Sequence, residues 1–391
     1  MIDQPFGIIL TLIAVEAVIL YLARHSRTRH LFTYLPAVFW IYFIPMVLST
    51  AGLLDNTHAV YGVLVKYGLP ASLLLLLKNV DLKMIGRLGP GALGIFVAGS
   101  VGIMLGTAAV FLLLSPVIGK EYWSSFSALS ASWMGGSANM IAVKESLGAP
   151  DDIFAPMVVV DTIVPYVWMG ILVALSSRQG MFDRWLQPRQ DIIADLKKRM
   201  ADVDLSAALR QNIAVMLAAA AGAVLVSVLL NKASGYFPVV GGVLSAFTWT
   251  IILASALGLI LSLTPLRGLR RQGTEKAGEY ALYFVLTCIG ARASLGQFGT
   301  SGLLIAGGFL IVLIHAIVLL SAAKIMRLPM FLVAAASQAN IGGVASGPIV
   351  AEVYYPGLAA VGLLMAVLGN IIGTYLGLFV GQICRLTGGV F

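Results

Sequence analysis

Apolar runs of about twenty residues recur along this chain, parted by short polar, basic or glycine-bearing breaks. A run of that length crosses the ~30 Å hydrocarbon core of a bilayer as a helix. The pattern predicts helices over 6–23, 31–53, 59–78, 90–117, 123–146, 152–176, 212–230, 246–264, 279–296, 300–321, 329–352 and 356–384, six on each side of a basic connector, 177–211. Two of these runs are interrupted. In 123–146 the break reads Gly135-Gly136-Ser137-Ala138-Asn139-Met140, and in 329–352 it reads Ser337-Gln338-Ala339-Asn340-Ile341-Gly342-Gly343. Lipid cannot satisfy irregular backbone or side-chain amides, so such breaks persist only where protein or a wet cavity surrounds them. One interrupted segment in each half is a sequence pointer to the site of a secondary transporter.

Composition agrees with that pattern. The chain has 391 residues, of which 59% are hydrophobic and 11% charged, with mean hydropathy +0.96. Soluble proteins average about 45–50% apolar and ~25% charged residues, so an all-α polytopic membrane protein is expected. The longest polar stretch, from Ser176 to Gln211, is too short for an independent core. The first residues lack the basic region and cleavage site of a signal peptide, which makes 6–23 a retained span. Cys288 and Cys384 lie in apolar segments and read as packing residues. Without a Cys/His cluster, no transition-metal cofactor is expected. The net charge of +8 sits between spans, as orientation signals do, and does not point to nucleic acid.

The two halves read as diverged copies, 1–176 and 212–391. Asp81-Leu82…Gly86 parallels Ser294-Leu295…Gly299, Ala138-Asn139 parallels Ala339-Asn340, and Asp161-Thr162…Tyr166 parallels Asn370-Ile371…Tyr375. Shared order is what marks a repeat. If both interrupted segments are re-entrant hairpins, each half crosses five times and the second is inverted relative to the first. Most of the 25 basic residues then face one side: Arg24, Arg27 and Arg29; Lys78, Lys83 and Arg87; the connector's Arg178 to Arg210; Arg267 to Lys276; and Lys324 and Arg327. The positive-inside bias makes that side, connector included, cytoplasmic and puts both termini outside. An interrupted helix that crosses fully is the alternative. Within the connector, Trp185–Met200 has the spacing of an amphipathic helix in the headgroup plane, or is a solvated connector.

Among residues able to do chemistry, Asp161 stands out, flanked by Val158-Val159-Val160 and Ile163-Val164. An intramembrane carboxylate costs several kcal/mol and is functional by default; it can ligate Na⁺ or carry a coupling proton. Pro165 withholds the helical hydrogen bond from the Asp161 carbonyl. Asn139, Asn340, Ser137, Ser337 and Gln338 offer amide and hydroxyl oxygens to an alkali cation, and half-helix N-termini offer N–H groups to an anionic solute. Interhelical glue is the alternative for each of them. Asn370 takes the place of Asp161 in the second copy, oxygen without charge, and Thr162 and Thr374 rank behind it. Glu16 and Lys66 read as paired or snorkelling side chains, Lys144 and Glu145 as mouth residues, and His315 as a packing histidine, with a proton relay as the alternative.

Through Ser132-Trp133-Met134-Gly135-Gly136-Ser137-Ala138-Asn139, Asp161 and Ser337-Gln338-Ala339-Asn340-Ile341-Gly342-Gly343, nearly the whole chain resembles the domain of unknown function 819 family of membrane proteins. More remotely it is similar to the superfamily of bile acid:sodium symporters, glutamate:sodium symporters and cation:proton antiporters. That resemblance implies two inverted five-span repeats, a scaffold domain (6–53 and 212–264), a mobile core domain (59–176 and 279–384), elevator motion and a homodimer. Inside its apolar runs the chain lacks the antiporters' paired aspartates.

The expected function is therefore a secondary transporter, Na⁺-driven or H⁺-driven, of a small polar or anionic solute. It would reside as a multi-pass protein in the bacterial inner membrane, among lipids, with no partner nucleic acid. The candidate Na⁺ ligands are Asp161, Asn139 and Asn340. A channel or holin-like exporter and a non-transporting sensor or assembly partner are the rivals. An intramembrane enzyme is disfavoured, since the sequence offers no second aspartate on a facing span, no His-Glu-x-x-His helix and no convincing Ser/His pair.

Overall fold

The computed structural model describes residues 1–28, 31–201, 211–240, 242–293 and 301–389, with the backbone alone for Thr33, Tyr34 and Arg271. Arg29, Arg210 and the Ser294-Leu295…Gly299 match lie outside the described residues. Helices follow one another: α1 (Pro5–Arg24), α2 (Leu31–Tyr34), α3 (Ala37–Thr50), α4 (Val60–Lys78), α5 (Leu82–Gly86), α6 (Gly89–Ile118), α7 (Trp123–Gly135), α8 (Ser137–Ser146), α9 (Asp151–Ser176), α10 (Gln179–Leu186) and α11 (Ile192–Met200) precede α12 (Ile213–Ser234). After it come α13 (Ala246–Ser262), α14 (Thr274–Arg292), α15 (Ser301–Met326), α16 (Met330–Ile341), α17 (Gly343–Tyr354) and α18 (Ala359–Thr387). Among the described residues there is no strand, only the bridges Ile2–Leu54 and Val240–Leu244. Seven helices (α1, α4, α6, α9, α12, α15 and α18) are long and apolar enough to cross a bilayer, and α3, α13 and α16 are shorter apolar helices. Each of the twelve apolar runs coincides with a helix, or with a broken pair where the sequence is interrupted. The chain is a polytopic, all-α membrane protein.

The backbone divides into two compact units. The first comprises Met1–Val80, Lys144–Thr162 and Ala208–Gly302. Here α12, α13 and α14 pack around α4, while α3 lies on α14 and α1 lies on both. Glycines permit the close approaches: a Cβ at Gly278 would meet Leu75, and one at Gly290 would collide with the Tyr42 carbonyl. Such small-residue contacts replace the hydrophobic driving force that lipid removes. The stripe that α1 buries is Ile8, Leu12, Glu16 and Ile19, so Glu16 sits at a packing position. Lys78, counted above as an orientation charge, is buried, with its ammonium donating to the Thr274 hydroxyl at 3.1 Å and the Leu266 carbonyl at 3.3 Å.

Lys144 is also buried, at 1% exposure, and is no mouth residue of the solvated kind. Its ammonium pairs with Glu145 (2.5 Å) and with Asp151, and Arg292 holds Asp151 at 2.8 Å. Charges this deep persist because they are paired.

The second unit comprises Asp81–Val143, Ile163–Ala207 and Leu303–Phe391. Here α18 is central, packed by α7, α17, α16 and α6. Gly102 and Gly106 of α6 lie against the backbone of His315 and Ile311 in α15. The apolar residues Leu196 and Met200 of α11 are buried, and Lys197 lies 5.9 Å from the centre of the Tyr355 ring. Protein of its own unit therefore covers this face of the connector helix, where the sequence left it to the headgroup plane or to solvent. Packing also groups α4 and α14 with the first unit, whereas the sequence reading placed 59–176 and 279–384 together.

Candidate functional site

The elbows of both interrupted segments fold within the second unit, which takes the first segment as far as Val143, and glycine geometry breaks each one. Gly136 adopts φ 81°, ψ 175°, and Gly343 has φ 62°, regions where a Cβ is strained. Each break turns the chain back on itself. Ala131 of α7 and Val143 of α8 both reach the point where a Cβ would stand on Gly377 of α18. In one continuous helix twelve residues would separate them by ~18 Å. In the second segment the Phe331 and Tyr355 rings, which bracket α16 and α17, meet edge-on with centroids 5.3 Å apart. Each arm of twelve residues is ~18 Å long and falls short of a bilayer core. Both segments are hairpins. The second one opens beside the connector, where Asp183 accepts the Met330 backbone N–H at 2.7 Å.

The two hairpin asparagines are anchored by comparable bonds. Asn139, 3% exposed, accepts from the Thr374 hydroxyl through Oδ1, and its Nδ2 donates to the Gly135 carbonyl and to the Asn370 carbonyl at 3.4 Å. Asn340, fully buried, accepts from Ser100 Oγ at 2.9 Å, and its Nδ2 donates to the carbonyls of Ala336 (3.0 Å) and Phe96 (3.2 Å). Phe96 links the two elbows. Its carbonyl takes the Asn340 amide, while its ring lies against Gly369, which in turn abuts the Met134 carbonyl just before the first break. Each asparagine thus ties a hairpin to a long helix, and each amide oxygen keeps one lone pair for a further partner.

Around the second elbow the polar groups form a chain. Ser337 Oγ receives Trp168 Nε1–H at 2.8 Å and lies 2.9 Å from His315 Nε2, and His315 Nδ1 is 2.8 Å from the Gly99 carbonyl. One tautomer satisfies the set, with His315 donating from Nδ1 and accepting the Ser337 proton at Nε2. His315 is thereby a satisfied, buried packing residue. Gln338 differs. Its Nε2 donates to Ser346 Oγ at 2.7 Å and to the Pro165 carbonyl at 3.3 Å, but its Oε1 is buried without a hydrogen-bond partner. An orphaned buried oxygen is rare enough to call for a reason.

The other candidates are more dispersed. Ser137 opens α8, half-buried. The Asn370 amide oxygen faces Gly136 at van der Waals distance, with no hydrogen bond on its side chain among the described residues. Asp161 and Thr162 close the first unit's share of α9, where Asp161 is half-buried and Thr162 donates to its own helix at Val158 (2.8 Å). The sequence reading passed over Phe96, Ser100, Trp168 and Ser346. Ser100 carried one usable signal, its place beside the Gly99/Gly102/Gly106 run, which marks a close helix crossing. Phe96 carried none, because an apolar residue that lends a carbonyl looks like its neighbours, and Trp168 and Ser346 act through side chains whose partners lie on other helices.

A family model described as a protein of unknown function, DUF819, matches residues 10–387. The chain is also similar to the protein of Bacillus subtilis described as uncharacterized membrane protein YjcL, 27% identical over 356 residues that cover 86% of this chain and 87% of that one.

Proposed function

We propose that this chain, which belongs to the DUF819 family of membrane proteins, is a cation-coupled secondary active transporter of a small polar or anionic solute, driven by Na⁺. The observation that carries the proposal is the pair of hairpins with elbows in one compact unit, each broken at a glycine of positive φ and each tied by an asparagine to a long helix, Asn340 to α6 at Ser100 and Phe96 and Asn139 to α18 at Thr374 and Asn370. Irregular backbone at membrane depth is costly, and two such elbows are the usual construction of a midplane ion and solute site.

The cation would take oxygens that the hairpin network leaves open, Gln338 Oε1 and the second lone pairs of Asn139 and Asn340, and the sequence reading adds the Asp161 carboxylate as the candidate charged ligand. Binding would order the elbows and so create the solute site, a population shift driven by differential affinity. The two units support an alternating-access reading in which the hairpin-bearing unit moves as an elevator against the other. Each unit draws helices from both halves, α1, α3 and α4 with α12, α13 and α14 in one, and α6 and α7 with α16, α17, α18 and most of α15 in the other, with α9 divided at Thr162. That division fits an inverted repeat.

The test is thermal unfolding of purified protein in Na⁺, Li⁺ and K⁺ at matched ionic strength, for the wild type and Asp161→Asn. Na⁺ should raise the wild-type midpoint, K⁺ should not, and Asp161→Asn should lose the response. An unchanged Na⁺ response in Asp161→Asn removes Asp161 from the site. A wild type indifferent to every monovalent cation overturns the coupling.

A further inference from the structure

The first unit contains a cavity of about 370 Å³ whose walls include Lys66, Glu145, Asn231, Ser234, Val65 and Phe247. That volume lies within the usual ~300–1,000 Å³ range of small-molecule pockets. Lys66 and Glu145 face the same space with opposite charge, yet no ion pair joins them. Lys66 has only the Tyr67 ring as a recorded contact, 5.6 Å from its ammonium, and no acidic partner among the described residues. Glu145 is engaged through one oxygen alone: Oε1 meets Lys144 at 2.5 Å and Arg292 at 3.6 Å. Lys144 and Arg292 hold Glu145 through Oε1 only, so Glu145 Oε2 and the Lys66 ammonium are two opposite charged atoms on the pocket's lining without an ion-pair partner among the described residues. Asn231 contributes an amide whose nitrogen reaches Thr250 at 3.5 Å, the limit of a hydrogen bond, and whose oxygen has no recorded partner. The hydroxyl of Ser234 is already committed to the Asn231 carbonyl and Thr250.

We infer that this pocket binds a dipolar ion, a compound carrying a primary ammonium and an anionic group on a short link. The anion would meet Lys66 and the Asn231 amide N–H, the ammonium would meet Glu145 Oε2 and the Asn231 oxygen, and Val65 and Phe247 would cover the link. Opposite charges held apart on one wall reward a ligand that bridges them, whereas a lone anion or a lone cation gains one contact and meets repulsion at the other. A lysine that merely snorkels to the interface would show no such preference. The same chemistry has two sources, the headgroup of phosphatidylethanolamine and a free zwitterion, and the experiment separates them.

Purified, delipidated full-length protein in Na⁺-free detergent buffer is titrated with glycerophosphoethanolamine, phosphatidylethanolamine, phosphatidylglycerol and ethanolamine. Binding is read by thermal shift and by retention in native mass spectrometry. The expected result is a response to one or both phosphoethanolamine compounds and none to phosphatidylglycerol or ethanolamine. Response to the lipid alone assigns a headgroup site, and response to the soluble compound assigns a free ligand. Lys66→Gln, at an exposed position, should weaken binding by roughly 10- to 100-fold, the value of a charged hydrogen bond, while Lys66→Arg keeps it. Equal binding of phosphatidylglycerol, an unchanged Lys66→Gln, or no response to either phosphoethanolamine compound overturns the inference. Because the assay omits Na⁺ and reads a ligand held by Lys66 and Asn231, outside the hairpin elbows, failure of cation coupling leaves this result unaffected.

Discussion

Replacing Gln338 by Met separates a ligand from a strut. Met is unbranched, of similar length and carries no amide, so the substitution keeps shape while removing polarity. In cation-free protein it removes two hydrogen bonds, to Ser346 Oγ and to the Pro165 carbonyl. Side-chain hydrogen bonds in membrane proteins average about 0.6 kcal/mol, so this loss is ~1.2 kcal/mol. It also removes the orphaned Oε1, whose burial without a partner costs about 1–3 kcal/mol. The net effect without Na⁺ lies between neutral and about 2 kcal/mol of added stability. Adding Na⁺ at a hundred times its Kd stabilises the wild type by ~2.7 kcal/mol through linkage, and the variant, lacking the oxygen, much less. The order of stability should therefore invert between K⁺ and Na⁺. Reversible unfolding by SDS in mixed micelles, with KCl exchanged for NaCl at constant ionic strength, measures both arms. A variant that loses more than ~2 kcal/mol in K⁺, or that gains the full wild-type increment in Na⁺, refutes the assignment of Oε1 as a waiting cation ligand.

Two further outcomes follow from the packing. With Phe331 and Tyr355 in ring contact at 5.3 Å, the double variant Phe331→Cys/Tyr355→Cys should be bridged within one chain by a short bifunctional thiol reagent, seen as a mobility shift that neither single variant gives; two reactive thiols left unbridged would mean the second segment runs on across the membrane. Lys144→Met leaves Glu145 and Asp151 with Arg292 alone, and breaking so buried a pair should cost about 3–5 kcal/mol of unfolding free energy, whereas a change under ~1 kcal/mol would place Lys144 in water.

Much of this architecture was legible in the sequence. The length of an apolar run is dictated by the bilayer and by 1.5 Å of helix rise per residue, so all twelve runs reappear as helices without any tertiary information. A glycine pair close to Asn or Ser inside such a run pointed to a broken helix, since no other residue tolerates the φ of Gly136 or Gly343 so readily. Those signals are local, and a one-dimensional pattern carries them in full. What folding alone decided is which groups meet. Two hairpins were one of two topologies consistent with the charges, until Ala131 met Val143 at Gly377 and Phe331 met Tyr355. Asn139 and Asn340 stood out as polar residues in apolar company, but the partners of Asn340 (Ser100 and Phe96) and of Asn139 (Thr374 and Asn370) lie 231 to 244 residues away along the chain. The orphaned oxygen of Gln338 and the unpaired Lys66 were equally hidden, because a missing partner is a property of three-dimensional neighbours. Covalent order sets where a helix must run and where it must break; the satisfaction of each buried polar group is settled only when distant segments come within hydrogen-bond range.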